Sequence, residues 1–296
     1  MALEVITHIF TFMPIANLME FASMCRTHRI WVLQYINQRK DNHLAKFVTS
    51  PTYLLHAMRI TSSVISGSFA LAMLLPAADV AWGVADLDIY TNFKSYHRLI
   101  IYLLREGYTI RSTTRRHSPV CYSNSAIRKV MTLDKQTRSI DVIISAFKDS
   151  TIPIFHFHST IVMNYVSADS LFSAYPRLTS QYRALVNPLS LPQSHVNGPS
   201  CAMEKYRHRG FRIPTWSERN TPGDPHTCEN NMSCPRQIRA THDRGSLRLE
   251  LDIANVTDTA DNEGNKVVLW RFGGERCVDG NQEDIYMEPY IIHEDM

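Results

Sequence analysis

The chain has no apolar run long enough to span a bilayer. Its longest charge-poor stretch, VISGSFALAMLLPAA from Val64 to Ala78, carries two serines and Pro76 and ends at Asp79. Such a run reads as core, not membrane. Charge of one sign is missing too. A formal net charge of +3 over 296 residues carries no polycationic signal for nucleic acid and no acidic tract that would imply disorder. The opening MALEVITHIFTFM lacks a basic region followed by a small-residue cleavage site, so no signal peptide is expected. Cysteine is sparse, with six residues at positions 25, 121, 201, 228, 234 and 277. Without a secretion signal, reduced thiols and an intracellular protein, cytoplasmic or nuclear, are expected. The sequons at Asn231 and Asn255 are then chance matches. No internal repeat is present.

What remains is enough apolar material, 44% of the residues, for a sizeable core and two domains. Val5, Ile6, Ile9, Phe10 and Met13 recur at three- and four-residue spacing, an amphipathic helix stopped by Pro14. Asn17, with Glu20 three residues on, reads as the N-cap of a second helix whose apolar face is Leu18, Phe21, Ala22 and Cys25. A third helical pattern runs from about Thr27 to Ile36. These helices make a module over 1–40, and 41–60 reads as a helical linker. So short a unit needs a partner or the rest of the chain to bury its apolar faces.

The stretch LEVITHIFTFMPIANLMEFASMCRTHR resembles an F-box through Leu3, Glu4, Ile9, Phe10, Leu18, Ala22, Ser23, Cys25 and Arg26. Ala2 stands where the family's proline is usual, and Trp31 matches the third-helix tryptophan only approximately. The resemblance covers about an eighth of the chain. It implies docking on the Skp-type linker subunit of a cullin–RING ubiquitin ligase through Ile6, Ile9, Phe10, Leu18 and Cys25.

The central third is different in character. In WGVADLDIYT, Asp86 and Asp88 sit one residue apart in a strand-like run, and alternation sends both carboxylates to one face. Upstream, Gly67 and Ser68 form a tight turn into an apolar helix, with Ser68 placed to cap it; a helix N-terminus there attracts phosphate. Downstream, FKSYHRLIIYLLREGY reads as a helix with Leu99, Ile100, Leu103 and Leu104 inward and Gly107 at its end. AIRKVMTLDKQTRSIDVIIS reads as a hairpin turning near Asp134 to Thr137, and its second strand carries Asp141 between apolar neighbours. Three carboxylates on one sheet edge call for divalent cations, and magnesium takes oxygen ligands of this type.

Hydrophobic-Gly-Ser, a spacer, Asp-hydrophobic-Asp and a later hydrophobic-Asp-hydrophobic resemble the nucleotidyltransferases of the polymerase-beta superfamily. SGSFALAMLLP…WGVADLDIYT also resembles a group of uncharacterised fungal proteins with nucleotidyltransferase-like folds, and this likeness extends over roughly 60–215. The spacer, with PAADVAWGVA as an apparent extra loop, exceeds the family's usual length. The resemblance implies two magnesium ions held by Asp86, Asp88 and Asp141. It further implies a nucleoside triphosphate seated by Gly67 and Ser68, and an acceptor hydroxyl activated with help from Asp141. Members of that superfamily include inactive and binding-only proteins, so an adaptor without catalysis is the alternative function.

Other signals are weaker. His156 and His158 in FHFH would share a strand face, and His226, Cys228 and Cys234 would need a fourth ligand, such as Cys201, His242 or Cys277, to hold zinc. KYRHRGFR (Lys205 to Arg212) mixes basic and aromatic residues and reads either as a contact for phosphate or a nucleic-acid strand, a candidate for the triphosphate or acceptor of an active site, or as a solvated helix end stopped by Gly210. Arg115, Arg116 and His117 form a basic loop. Residues 190–245 read as long loops, and SLRLELDIANV and KVVLWRF as a terminal hairpin before an acidic end. The expected class is α+β: an F-box-like module, a nucleotidyltransferase-like mixed sheet flanked by helices over 61–190, and a loop-rich, β-containing extension over 191–296.

Overall fold

The computed structural model describes residues 3–115, 126–186, 198–213, 231–234, 236–253, 267–272 and 290–293. The architecture is mixed α+β. The chain enters through helices α1 (Leu3–Phe10), α2 (Ile15–Ser23), α3 (Arg26–Leu44) and α4 (Pro51–Thr61). It then makes strand β1 (Val64–Ser66), helix α5 (Gly67–Leu74), strand β2 (Asp86–Thr91) and helix α6 (Tyr96–Arg105). Strands β3 (Thr109–Arg115), β4 (Ile127–Lys135) and β5 (Arg138–Ser145) follow, then helix α7 (Ile152–Phe155), β6 (Asn164–Val166), β7 (Ser170–Ser173) and helix α8 (Pro176–Ser180). Beyond these lie helix α9 (Gly198–His208), β8 (Ile238–Ala240), β9 (Leu247–Glu250), β10 (Val268–Arg271) and β11 (Tyr290–His293).

An eight-stranded sheet runs in the order β3-β4-β5-β2-β1-β6-β7-β9, and β11-β10-β8 form a second, three-stranded sheet. In the large sheet β2 and β5 pair in parallel, while the other neighbours are antiparallel. Alternation divides the central strands. Leu87, Ile89, Ile140, Val142 and Leu133 face a core shared with α1 to α6, through Ile6, Phe10, Leu18, Val32 and Leu99 among others. Tyr90, Val130 and Ile143 face a second core with Phe155, Phe172 and Trp270. A third cluster joins Leu71 and Leu75 to Met203, Tyr206 and Phe211, which docks α9 beside α5. All eight residues of α5 are buried, as suits a helix without a polar face enclosed on every side.

Several sequence expectations need correction. α2 starts directly after Pro14, which is its N-cap, so Asn17 lies within the first turn and makes no capping box. Proline's fixed φ suits this start. Cys25 is the N-cap of α3, its sulfur accepting from the His28 N–H, and is exposed. α3 runs 19 residues, through the boundary expected at residue 40. The front helices bury Ile6, Phe10, Leu18 and Val32 in the same apolar cluster as the sheet. In α6 Leu104 is 44% exposed, whereas Leu99, Ile100 and Leu103 are buried; Gly107, at φ +91°, ends it as expected. His156 and His158 follow α7 and lie in no strand. The two terminal strands never pair: β9 extends the large sheet against β7, and β10 sits between β8 and β11. The 190–245 stretch contains α9 and β8 in addition to loops.

Candidate active site

The site is assembled by the parallel pair. Asp86, Asp88 and Tyr90 alternate onto one face of β2, while Leu87 and Ile89 take the apolar face. The β2–β5 register sets Asp88 directly beside Asp141 and Asp86 beside Ser139, so all three carboxylates share that face. On the other side of β2, Ser66 pairs with Asp88, and the chain turns at once into α5. Gly67 adopts φ +65°, and a Cβ added there would lie 2.2 Å from Asp88 Oδ2. Only glycine permits both the turn and the close approach of that carboxylate.

Ser68 does not cap α5; Ser66 is the N-cap and makes no side-chain capping bond. The Ser68 hydroxyl instead donates to Asp86 Oδ1 at 3.3 Å, and the Ser66 hydroxyl donates to the Asn164 carbonyl at 2.6 Å. Neither hydroxyl is therefore turned onto the N–H groups that open α5.

The carboxylates feel one another. Burial first, then the charges of Asp86 and Asp141, push the Asp88 carboxyl up to about 7, with Lys205 acting the opposite way. Asp141 is raised chiefly by burial and also by Asp86, against a hydrogen bond from the Thr132 side chain and the charge of Arg111. Its Oδ1 is buried with no hydrogen-bond partner. Arg111 lies 3.2 Å from Asp134, in an ion pair at the outer side of Asp141. Asp88 and Asp141, raised chiefly by burial and further by neighbouring carboxylates, with an acceptor oxygen unpaired, mark a place short of positive charge.

An all-oxygen donor set of this kind fits a hard divalent cation. The Asp88 carboxylate lies where a Cβ on residue 67 would sit, and Asp141 Oδ1 is an acceptor oxygen without a partner. Among the described residues, however, no group of three or more His, Cys, Asp or Glu side chains is placed to hold a metal ion. The shared register brings Asp86, Asp88 and Asp141 to one place without gathering their oxygens around a point. Of the zinc candidates, Cys234 is buried, and His226, Cys228 and Cys277 lie outside the described residues. Arg116 and His117 also lie outside them.

Three further residues border the carboxylates: Lys205 and Arg209, from the basic stretch that is a candidate phosphate contact, and Trp82, which the sequence does not single out. α9 brings Lys205 into the field of Asp88, and Arg209, just past its end, lies in that of Asp86. The apparent extra loop carries Trp82, whose ring lies under the Arg209 guanidinium at 3.7 Å. The basic and aromatic letters of KYRHRGFR were visible, but their approach to Asp86 depends on α9 docking on α5.

The residues expected to dock a linker subunit divide. Ile6, Phe10 and Leu18 are buried in the shared core, while Ile9 is 45% exposed and Cys25 is exposed. Val5, Ile9 and Phe12 form the exposed apolar row of the first helix and its following turn. No helix among the described residues is long and apolar enough to cross a membrane. No family model, curated protein or solved structure matches this chain.

Proposed function

We propose that this protein is an intracellular F-box-type chain carrying a nucleotidyltransferase-like domain, which transfers a nucleotidyl group from a nucleoside triphosphate to a hydroxyl acceptor in a magnesium-dependent reaction. The supporting observation is the shared face of Asp86, Asp88 and Asp141 on the parallel β2–β5 pair, beside a glycine whose missing Cβ leaves room for the Asp88 carboxylate.

Asp86 and Asp88 would hold magnesium, with Asp141 completing the set. When bound, the metal supplies Lewis-acid stabilisation of phosphoryl oxygens and a lowered pKa for the attacking hydroxyl. The chain's own groups do the rest. The N–H groups of Gly67 and Ser68 open α5 and receive phosphate oxygens. Asp141 Oδ1, unpartnered and on a carboxyl raised by burial, accepts the acceptor's proton. The acceptor oxygen bonds to the α-phosphorus as the bond to the pyrophosphate oxygen breaks, and pyrophosphate leaves.

The test is incubation of the purified chain with each labelled nucleoside triphosphate and magnesium. Label transfer or pyrophosphate release, lost in Asp86→Asn and Asp88→Asn, is the expected result. Absence of both, with no metal-dependent nucleotide binding, rejects the enzymatic reading.

A second reading, an adaptor to a cullin–RING ligase, is favoured by the exposed row of Val5, Ile9 and Phe12. Charged substitutions at Ile9 and Phe12 should abolish capture of a Skp-type linker subunit. Capture that survives them rules out this face. Phe10 is unsuited to the test because it is buried in the core.

A further inference from the structure

The chain holds two arginines against pairs of aromatic rings, and they differ in one respect. Arg239 lies 4.7 Å from the Tyr175 ring centroid and 5.2 Å from that of Trp270. Its nitrogens are all engaged: Nε with Asp243, Nη1 with the Met232 carbonyl, and Nη2 with the Ala174 carbonyl, Asp243 and Ser246. This is a guanidinium used as a structural staple, with its donors satisfied as burial demands. Arg39 directs both terminal nitrogens at carbonyls, those of Leu75 and Ala72, while its Nε is buried without a partner.

Arg209 is held as firmly but left unsatisfied. Its guanidinium lies 3.7 Å over the Trp82 ring and 5.3 Å from the Tyr206 ring, yet Nη1 is buried with no hydrogen-bond partner. The indole Nε1 of Trp82, also buried, has none either. Both atoms can only donate. Neighbouring Arg207 and His208 are occupied by Glu204, whereas Lys205 and Arg209 make no salt bridge among the described residues. Two stacked, enclosed and unpaired donors, with a free lysine one turn away, lack an oxyanion.

We propose that Arg209 and Trp82 form a binding site for the terminal phosphates of a nucleoside triphosphate. Lys205 supplies further positive charge, and the stack against Trp82 fixes the direction of the Arg209 fork. Arg209 lies within the field of Asp86. α9 docks on α5 at Leu71 and Leu75, and its Lys205 lies within the field of Asp88, so the site borders the carboxylate cluster. The assignment to the leaving phosphates rests on the nucleotidyltransferase reading; the oxyanion site itself does not. The Pro76–Ala85 spacer thereby acquires a role as the platform that orients Arg209.

The experiment is calorimetric titration of the full chain with inorganic tripolyphosphate without divalent metal, then with nucleoside tri- and monophosphates plus magnesium. The wild-type chain should bind tripolyphosphate, and Arg209→Gln should weaken it roughly tenfold or more, the size of a lost charge-assisted hydrogen bond. Trp82→Phe, which keeps a ring for stacking but removes the indole donor, should weaken binding a few-fold, and exposed Lys205→Ala provides a variant with little effect on folding. Monophosphate binding should be unchanged in all three. Equal tripolyphosphate binding by wild type and Arg209→Gln, or none by wild type, overturns the proposal. Arg209-dependent polyphosphate binding without magnesium-dependent nucleotide binding would keep this site and reject the nucleotidyl-transfer reading.

Discussion

Asp88 is where stability and function pull against each other. Its carboxyl, raised to about 7 by burial and two neighbouring carboxylates, favours the protonated form in the folded chain. Because the folded value exceeds the unfolded one, the stability it contributes is complete below about pH 4 and falls as pH rises through about 7. Asp88→Asn never ionises. It should therefore gain stability over wild type between about pH 5 and about pH 8, by on the order of a few kcal/mol in urea unfolding. A pH-independent difference would contradict this assignment. Gly67 carries a separate cost. Alanine there pairs a left-handed backbone, at φ +65°, with a Cβ 2.2 Å from Asp88 Oδ2. The backbone part alone is about 1–2 kcal/mol. Repeating Gly67→Ala in an Asp88→Ala background should remove the contact part, giving a coupling energy of about 1 kcal/mol or more. Simple additivity would show that the close approach does not select glycine.

At the scale of elements, α5 matters most because its ends serve different tasks. Its N-terminus opens onto the carboxylates, and its C-terminus is closed by buried Arg39 of α3, bonded to the carbonyls of Leu75 at 2.8 Å and Ala72 at 2.5 Å. A cation at a helix C-terminus satisfies otherwise orphaned carbonyls and complements the helix dipole. Arg39→Met should cost about 2 kcal/mol or more in denaturant unfolding, since buried acceptors lose charged donors. An unchanged midpoint would show the contact to be dispensable. The β-elements were legible to different degrees for a physical reason. β2 and the β4–β5 hairpin carry alternating patterns and a tight turn at Gln136, itself at φ +56°, so local sequence specifies them. β9 and β10 alternate equally well, yet sit in different sheets, because strand pairing is a long-range choice that alternation does not encode.

At the scale of the whole molecule, the front helices and the sheet share one apolar cluster, and α9 docks on α5. Asp86, Asp88 and Asp141 could be read from the sequence because each acid interrupts an apolar strand run. Arg209 and Trp82 could not be joined that way. They lie 127 positions apart, the difference of 209 and 82, and meet only because Met203 and Tyr206 of α9 dock with Leu71 and Leu75. The docking set failed similarly: helical spacing finds an apolar face, but burial of Ile6, Phe10 and Leu18 depends on the sheet that covers them. The central claim is that the carboxylate face is a divalent-metal site completed by nucleotide. It is tested most directly by electron paramagnetic resonance of Mn²⁺ with the full chain, with and without a non-hydrolysable nucleoside triphosphate. The account predicts that nucleotide raises Mn²⁺ uptake by wild type and that Asp88→Asn abolishes this gain. Equal uptake by wild type and Asp88→Asn, or uptake indifferent to nucleotide, would contradict it.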